Sequence, residues 1–172
     1  VNYVRKIVAT HESKKPKNCK VGHTGTLDPA ATGLLVLLVG KEYTRRAQEL
    51  TKLDKTYQVT MKLGEVSSTG DQEGEIIAYR NGDKITPVKM PSQAEIEQVT
   101  NGFLGTSLQI PPQFSAIKIS GRKAYDLARK GEKVELEPRP VKVYKIAIKN
   151  YSYPYIELEV AVRSRTYIRS RV

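Results

Sequence analysis

Two stretches of this chain alternate apolar and polar residues with a period of two, and that alternation constrains the fold more than any other feature. Tyr57, Val59, Met61 and Leu63 alternate with Thr56, Gln58, Thr60 and Lys62, and Ile156, Leu158, Val160 and Val162 repeat in the same way. Successive side chains of a strand point to opposite faces, so each stretch reads as a half-buried strand with one apolar side. Residues 75–80, 114–119 and 141–148 are strand-like as well, and the continuous apolar run 34–39, closed by Gly40, reads as a buried strand. Helical spacing appears at Val1, Val4, Ile7 and Val8, with Arg5 and Lys6 outside, and a short helix is expected over 42–50. Ser92 and Glu95 form a capping-box pattern ahead of a helix carrying Ile96, Val99 and Phe103. A further short helix over 124–130 is stopped by Gly131. Gly70, Asp71 and Gly74 mark a turn, Ser120-Gly121 another, Pro111-Pro112 breaks the chain, and the polar insert 81–91 reads as a loop. Many short strands with a few helices between them predict an α+β domain, a mostly antiparallel mixed β-sheet with peripheral helices.

The 172 residues are enough for one domain with a real core. Lys and Arg number 29 against 18 Asp and Glu, a net charge of +11. That excess favours a polyanionic partner, RNA or DNA first, although a merely basic soluble protein has the same composition. With one cysteine, Cys19, no internal disulfide can form, and the chain reads as intracellular. His11, His23 and Cys19 lack the paired spacing of zinc ligands, so no metal is expected. The longest apolar run is far too short to span a bilayer, so no membrane is expected either. No signal peptide is visible, and the helical pattern at the first residue leads us to expect a missing N-terminal part.

The stretch Gly22-His23-Thr24-Gly25-Thr26-Leu27-Asp28-Pro29-Ala30-Ala31-Thr32-Gly33 carries the chemistry. Its three glycines permit backbone angles that other residues avoid, and Pro29 biases Asp28 away from the helical region. A stiff loop can hold the Asp28 carboxylate in a fixed orientation above a cleft. On the residues alone, an Asp-Pro turn with a solvated carboxylate is the stronger of the two readings.

Residues 22–35 resemble the signature of the tRNA pseudouridine-55 synthases, the bacterial-type tRNA pseudouridine synthase B family, almost letter for letter. Further matches are Lys55-Thr56-Tyr57 with Leu63-Gly64, and Pro111-Pro112 followed by Phe114-Ser115-Ala116-Ile117-Lys118. Gly121, Tyr125, Ala128-Arg129 and Gly131 continue the likeness, and Thr166-Tyr167-Ile168-Arg169-Ser170 closes it. The order and separations fit along essentially the whole chain. The family's upstream Lys-Pro-x-Gly-x-Thr-Ser segment, its continuation past Tyr-Ile-Arg and a C-terminal RNA-binding domain are missing, so residues 1–172 are expected to be a catalytic domain incomplete at both ends. Where the family usually has glycine before Thr166, this chain has Arg165.

The resemblance implies a pseudouridine synthase fold and a cytoplasmic, monomeric isomerase. Its implied substrate is uridine 55 in the T loop of tRNA, taken by base flipping, and no cofactor or metal is implied. It carries over Asp28 as the catalytic aspartate, Arg169 as the guanidinium paired with it and Tyr57 as the ring or hydroxyl at the target base. His23, Lys55, Lys118, Arg129 and Tyr167 become substrate-binding residues. The residues by themselves leave blander readings open: Tyr57 as a core tyrosine, Arg169 as a surface arginine, His23 as a structural histidine and the lysines as solvated cations. Two other functions stay open, a guide-RNA-dependent pseudouridine synthase subunit and a non-catalytic RNA-binding or RNA-folding module on the same scaffold.

Overall fold

The computed structural model describes residues 1–81, 84–85, 90–119, 121–132 and 134–170. The chain divides into two compact units, Val1–Leu53 and Asp54–Val172.

In the first unit, helix α1 (Asn2–His11) precedes a 3-10 turn at Pro16–Asn18. A two-stranded antiparallel hairpin follows, β1 (Val21–His23) against β2 (Leu37–Val39), then two short helices, α2 (Lys41–Arg45) and α3 (Ala47–Thr51). The expected helix over 42–50 is therefore two pieces that meet at Arg46, whose φ of −87° and ψ of 6° interrupt the helical run. The face of α1 also differs from the expectation. Ala9 is buried, Ile7 is exposed, and Arg5 is half-buried with Nη2 donating to the Val21 carbonyl at 3.1 Å. A guanidinium that caps a free strand carbonyl can face inward where an aliphatic side chain does not. The apolar run 34–39 is likewise not one buried strand. Only residues 37–39 pair, Leu38 alone is buried, and Leu34 is 91% exposed.

The second unit is built on a four-stranded antiparallel sheet. Its strands are β3 (Lys55–Lys62), β12 (Tyr155–Val162), β11 (Arg139–Ser152) and β8 (Gly105–Gln109), in that spatial order. The period-two reading holds for both clean stretches. Ile156, Leu158, Val160 and Val162 are buried, and Tyr57, Val59 and Met61 pack against them from β3. Each such aliphatic side chain taken out of water contributes about 1.5–3 kcal/mol, which holds the register. β11 carries two register shifts, between Val143 and Lys145 and between Ile148 and Asn150. Tyr144 and Lys149 are the extra residues there, and both are exposed.

Helix α4 (Gln93–Asn101) begins with the predicted capping box, Ser92 and Glu95 bonding reciprocally. It contributes Ile96 to the sheet's core cluster, and Tyr151 of β11 donates its hydroxyl to the Pro91 carbonyl at 2.6 Å. Thr100 is buried and Val99 exposed, the reverse of the simple apolar stripe, because the Thr100 hydroxyl bonds back to the Ile96 carbonyl at 2.9 Å and so loses no partner inside. Phe103 lies just past the helix end.

The remaining strands are short: β4 (Glu65–Ser67) with β5 (Ile76–Ala78), β6 (Arg80–Asn81) with β7 (Lys84–Ile85), and β9 (Lys118–Ile119) with β10 (Arg122–Lys123). The expected strand over 114–119 reduces to its last two residues, since 113–116 bend. Helix α5 (Ala124–Ala128) follows, with Gly131 at φ +73° beyond its end, as the stop signal requires. Part of the 81–91 insert and Ser120 of the predicted turn lie outside the described residues. Among the described residues no helix is long and apolar enough to cross a membrane.

Candidate functional site

In the first unit, the hairpin leaves β1 at His23 and returns at Leu37, and the Thr24 N–H to Val36 carbonyl bond of 3.2 Å closes the neck. Asp28 lies in the excursion between. Its carbonyl accepts the Ala31 N–H at 2.8 Å, so Asp28 opens a turn in which Pro29, with its fixed φ, takes the second position. The side chain of Asp28 is exposed. Of the three glycines only Gly33, at φ +139°, uses a conformation denied to other residues; Gly22 and Gly25 do not. His23 is exposed, and its Nδ1–H donates to the Gly25 carbonyl, which ties the histidine to the loop's own backbone.

In the second unit, Lys55 and Tyr57 lie on β3 opposite Val162 and Val160 of β12. Both are half-buried, and the Tyr57 ring packs against the core cluster. Arg169 lies in a 3-10 turn, Ile168–Ser170. Its Nη1 donates to the Asp71 carboxylate at 3.1 Å and to the Thr69 carbonyl at 3.3 Å, and its Nη2 donates to the Phe114 carbonyl at 2.5 Å. Asp71 is itself fixed, its Oδ1 accepting from the Thr69 hydroxyl at 2.6 Å and from the Glu73 N–H at 3.1 Å. The sequence reading took Asp71 only as a turn residue, and its role as a carboxylate held on Arg169 is new. Gly70 explains the closeness of this turn: at φ +75°, a Cβ there would lie 2.9 Å from the Arg169 carbonyl oxygen.

Tyr167 lies between two guanidiniums, with Arg139 5.2 Å and Arg169 6.0 Å from its ring centroid. Its backbone is held on both sides by the side-chain amide of Gln109, a second residue the sequence did not single out. Arg165 stands at φ +68°, a left-handed conformation that suits glycine better than arginine.

Lys118 and Arg129 come together elsewhere in the second unit. With Arg122, Lys123 and Lys130 they line an open cleft of about 660 Å³ in which Asp126 is the one acidic side chain among the lining residues. Lys123 and Arg129 flank the Tyr125 ring at 5.1 and 5.6 Å from its centroid. The Tyr125 hydroxyl accepts from Lys123 Nζ at 3.1 Å, and that bond raises the ammonium's pKa above the ordinary lysine value. A cleft of this charge suits phosphates, and the Tyr125 ring beside two of its lining cations offers a surface on which a base can stack. Among the described residues no three His, Cys, Asp or Glu side chains are grouped as a metal site.

The family profile that matches this chain is TruB family pseudouridylate synthase (N terminal domain), over residues 11–168. The chain belongs to this family. The matched span contains the Asp28 loop, the β3 tyrosine and the segment up to Ile168. Curated relatives named tRNA pseudouridine synthase B include those of Neisseria gonorrhoeae (strain NCCP11945), 45% identical over 88% of this chain, and of Clostridium novyi (strain NT), 43% identical over the same share. This chain spans 47% and 50% of those two relatives, about half their length. Among solved structures, a Cbf5-Nop10-Gar1 complex matches 97% of the chain and 37% of its own, with a TM-score of 0.62 and 25% identity. The pseudouridine synthase fold expected from the TruB-type motifs is thus the fold observed.

Proposed function

We propose that this chain is the catalytic domain of a tRNA pseudouridine synthase that isomerises a uridine, uridine 55 of the T stem-loop, to pseudouridine. The observation that carries the reading is the TruB family match over 11–168, a span that includes Asp28 and Tyr57; Arg169, one residue beyond it, is assigned by the resemblance of Thr166-Tyr167-Ile168-Arg169-Ser170 to the family's motif. In the proposed reaction the N1–C1′ bond of the uridine breaks, the base turns over, and a C5–C1′ bond forms. The proton lost from C5 is balanced by one gained at N1, so no cofactor or metal is required. Asp28 serves as the carboxylate nucleophile. Arg169 supplies a guanidinium that keeps its charge when partly buried. Tyr57 offers a packed ring and a hydroxyl able to move a proton.

The target base lies inside a folded RNA loop, so it must be extruded at a cost of a few kcal/mol, offset by stacking and hydrogen bonds. Lys118, Arg129 and the cations around Tyr125 suit the RNA backbone, and Lys55, His23 and Tyr167 are assigned to nucleotide contacts by their motif positions. The protein would act in the cytoplasm as a monomer. A guide-dependent subunit is the weaker reading, because identity to the synthase B relatives is 43–45% and to the Cbf5 complex 25%.

The test is pseudouridine formation on an unmodified tRNA transcript with no guide RNA, comparing wild type with Asp28→Asn. Wild type should convert one T-loop uridine, and the variant should lose at least about 10³ in rate while still binding tRNA. Conversion by Asp28→Asn within a few-fold of wild type would remove Asp28 from the mechanism. Conversion only with a guide would favour the second reading.

A further inference from the structure

Gln109 ends the edge strand β8 and is only 4% exposed, whereas Leu108 beside it is 71% exposed. A buried amide next to an exposed leucine inverts the usual placement, and a buried polar group is held in place by its hydrogen bonds. Both bonds of this amide go to one residue. Gln109 Nε2 donates to the Tyr167 carbonyl at 2.8 Å, and the Tyr167 N–H donates to Gln109 Oε1 at 2.9 Å. The carboxamide thus stands in for the peptide group of a neighbouring strand. Arg139, opposite Gln109 in the β8–β11 ladder, reaches the same segment, its Nη2 donating to the Arg165 carbonyl at 2.9 Å.

The Arg169 turn begins directly after Tyr167, and the Ser170 N–H closes it on the Tyr167 carbonyl at 3.3 Å. We propose that Gln109 is a positioning residue, whose carboxamide fixes both peptide groups of Tyr167 and through them sets the place of the Arg169 guanidinium. The inference rests on Arg169 being a site residue, as read above. Arg169 must meet Asp71 and the Thr69 and Phe114 carbonyls at once, and displacement of its backbone by about 1 Å breaks those bonds or the alignment they give.

Gln109→Glu separates positioning from mere packing, since size and shape are kept. An ionised carboxylate only accepts, so it keeps the Tyr167 N–H and sets an oxygen against the Tyr167 carbonyl. A protonated one donates and accepts as glutamine does. Burial disfavours the charged form, so the protonated state should return as pH falls toward neutrality and below. The experiment measures single-turnover pseudouridine formation on tRNA from pH 6 to 8.5, tRNA affinity, thermal melts and the Arg169 guanidinium resonance by ¹⁵N NMR. For Gln109→Glu at high pH we expect a rate loss of about 10-fold or more with affinity within about 3-fold, recovering at low pH where wild type shows no such limb. Combined with Arg169→Lys, Gln109→Glu should add little further loss, as expected of two residues acting as one unit. A folded Gln109→Glu with wild-type rate at every pH, or strictly additive losses in the double variant, would overturn the proposal. If wild type forms no pseudouridine, the enzyme reading fails, and the NMR arm still decides this one: an Arg169 resonance that moves with the ionisation of the new glutamate supports positioning, and an unmoved one refutes it.

Discussion

Asp71 and Arg169 are 98 residues apart in sequence, and their side chains meet at 3.1 Å with only 19% and 12% of their surfaces exposed. The pair joins the β4–β5 turn to the turn that follows β12. A charge pair this shielded is strongly coupled: removing one partner leaves the other charge poorly solvated. We therefore expect Asp71→Ala to cost about 2–3 kcal/mol in urea unfolding, and Asp71→Asn about 1–2 kcal/mol, because the single carbonyl oxygen of asparagine can accept on the Arg169 side or on the side of Thr69 and Glu73, not on both. Equal stability of Asp71→Ala and wild type would show that the Arg169 carbonyl partners suffice.

Gly70→Ala should be costly for two separate reasons. Its φ of +75° is disfavoured for alanine by about 1–2 kcal/mol, and the new Cβ would lie 2.9 Å from the Arg169 carbonyl oxygen. A combined loss of at least about 2 kcal/mol is expected, seen as a lowered melting midpoint. Gly25→Ala is the control, because its Cβ would meet nothing within 4 Å and its φ is not positive. That variant should melt within about 0.5 kcal/mol of wild type.

Arg165 pays a backbone penalty that glycine would not, at φ +68°. Relief of about 1–2 kcal/mol in the folded state is partly offset by the greater freedom of glycine in the unfolded chain, about 0.4–1 kcal/mol. Arg165→Gly should be neutral to about 1 kcal/mol stabilising, and the carbonyl that Arg139 grips is unchanged by the substitution. Arg165→Val, branched at Cβ, should be destabilising by denaturant titration. A glycine variant clearly less stable than wild type would mean that the arginine side chain itself holds the turn.

Tyr57→Phe and Tyr57→Leu separate the ring from the hydroxyl. The ring packs on the core cluster, so Phe should fold normally. If the hydroxyl moves a proton, Phe binds tRNA normally and loses roughly 10²–10⁴ in single-turnover rate. A full rate in Phe, with Leu losing about 1–3 kcal/mol of tRNA binding, would leave Tyr57 as a stacking wall only.

Glu159 offers a pH test on the sheet surface. Hydrogen bonds from Lys149 and Lys145 hold its carboxyl below the ordinary glutamate value. With a depressed folded pKa, its contribution to stability is present above the unfolded value, about 4.3, and is lost as pH falls through the folded one. NMR titration of Glu159 should therefore give a midpoint below the ordinary value, and Lys149→Gln should move it up. An unchanged midpoint in that variant would assign the effect to Lys145.

The sequence by itself determined the strands and their buried faces in β3 and β12, the start of α4, the stop at Gly131 and the family to which the chain belongs. These features are local: a period of two, a Ser and a Glu three residues apart, or a contiguous motif that any copy of the chain displays. What it left open depended on distant parts of the chain. Arg5 turned inward only because the Val21 carbonyl, 16 residues on, was there to accept its guanidinium. Of the apolar run 34–39 only residues 37–39 form a strand, matching the three residues of β1 against which they pair. Most of all, the surroundings of Arg169 were decided by the tertiary structure. Asp71 and Gln109 look like a turn acid and an edge-strand amide in sequence, and acquire their roles when the folded sheet brings residues 98 and 58 positions apart within hydrogen-bond reach. A hydrogen bond weakens sharply over a few tenths of an ångström, and a linear pattern carries no such distances.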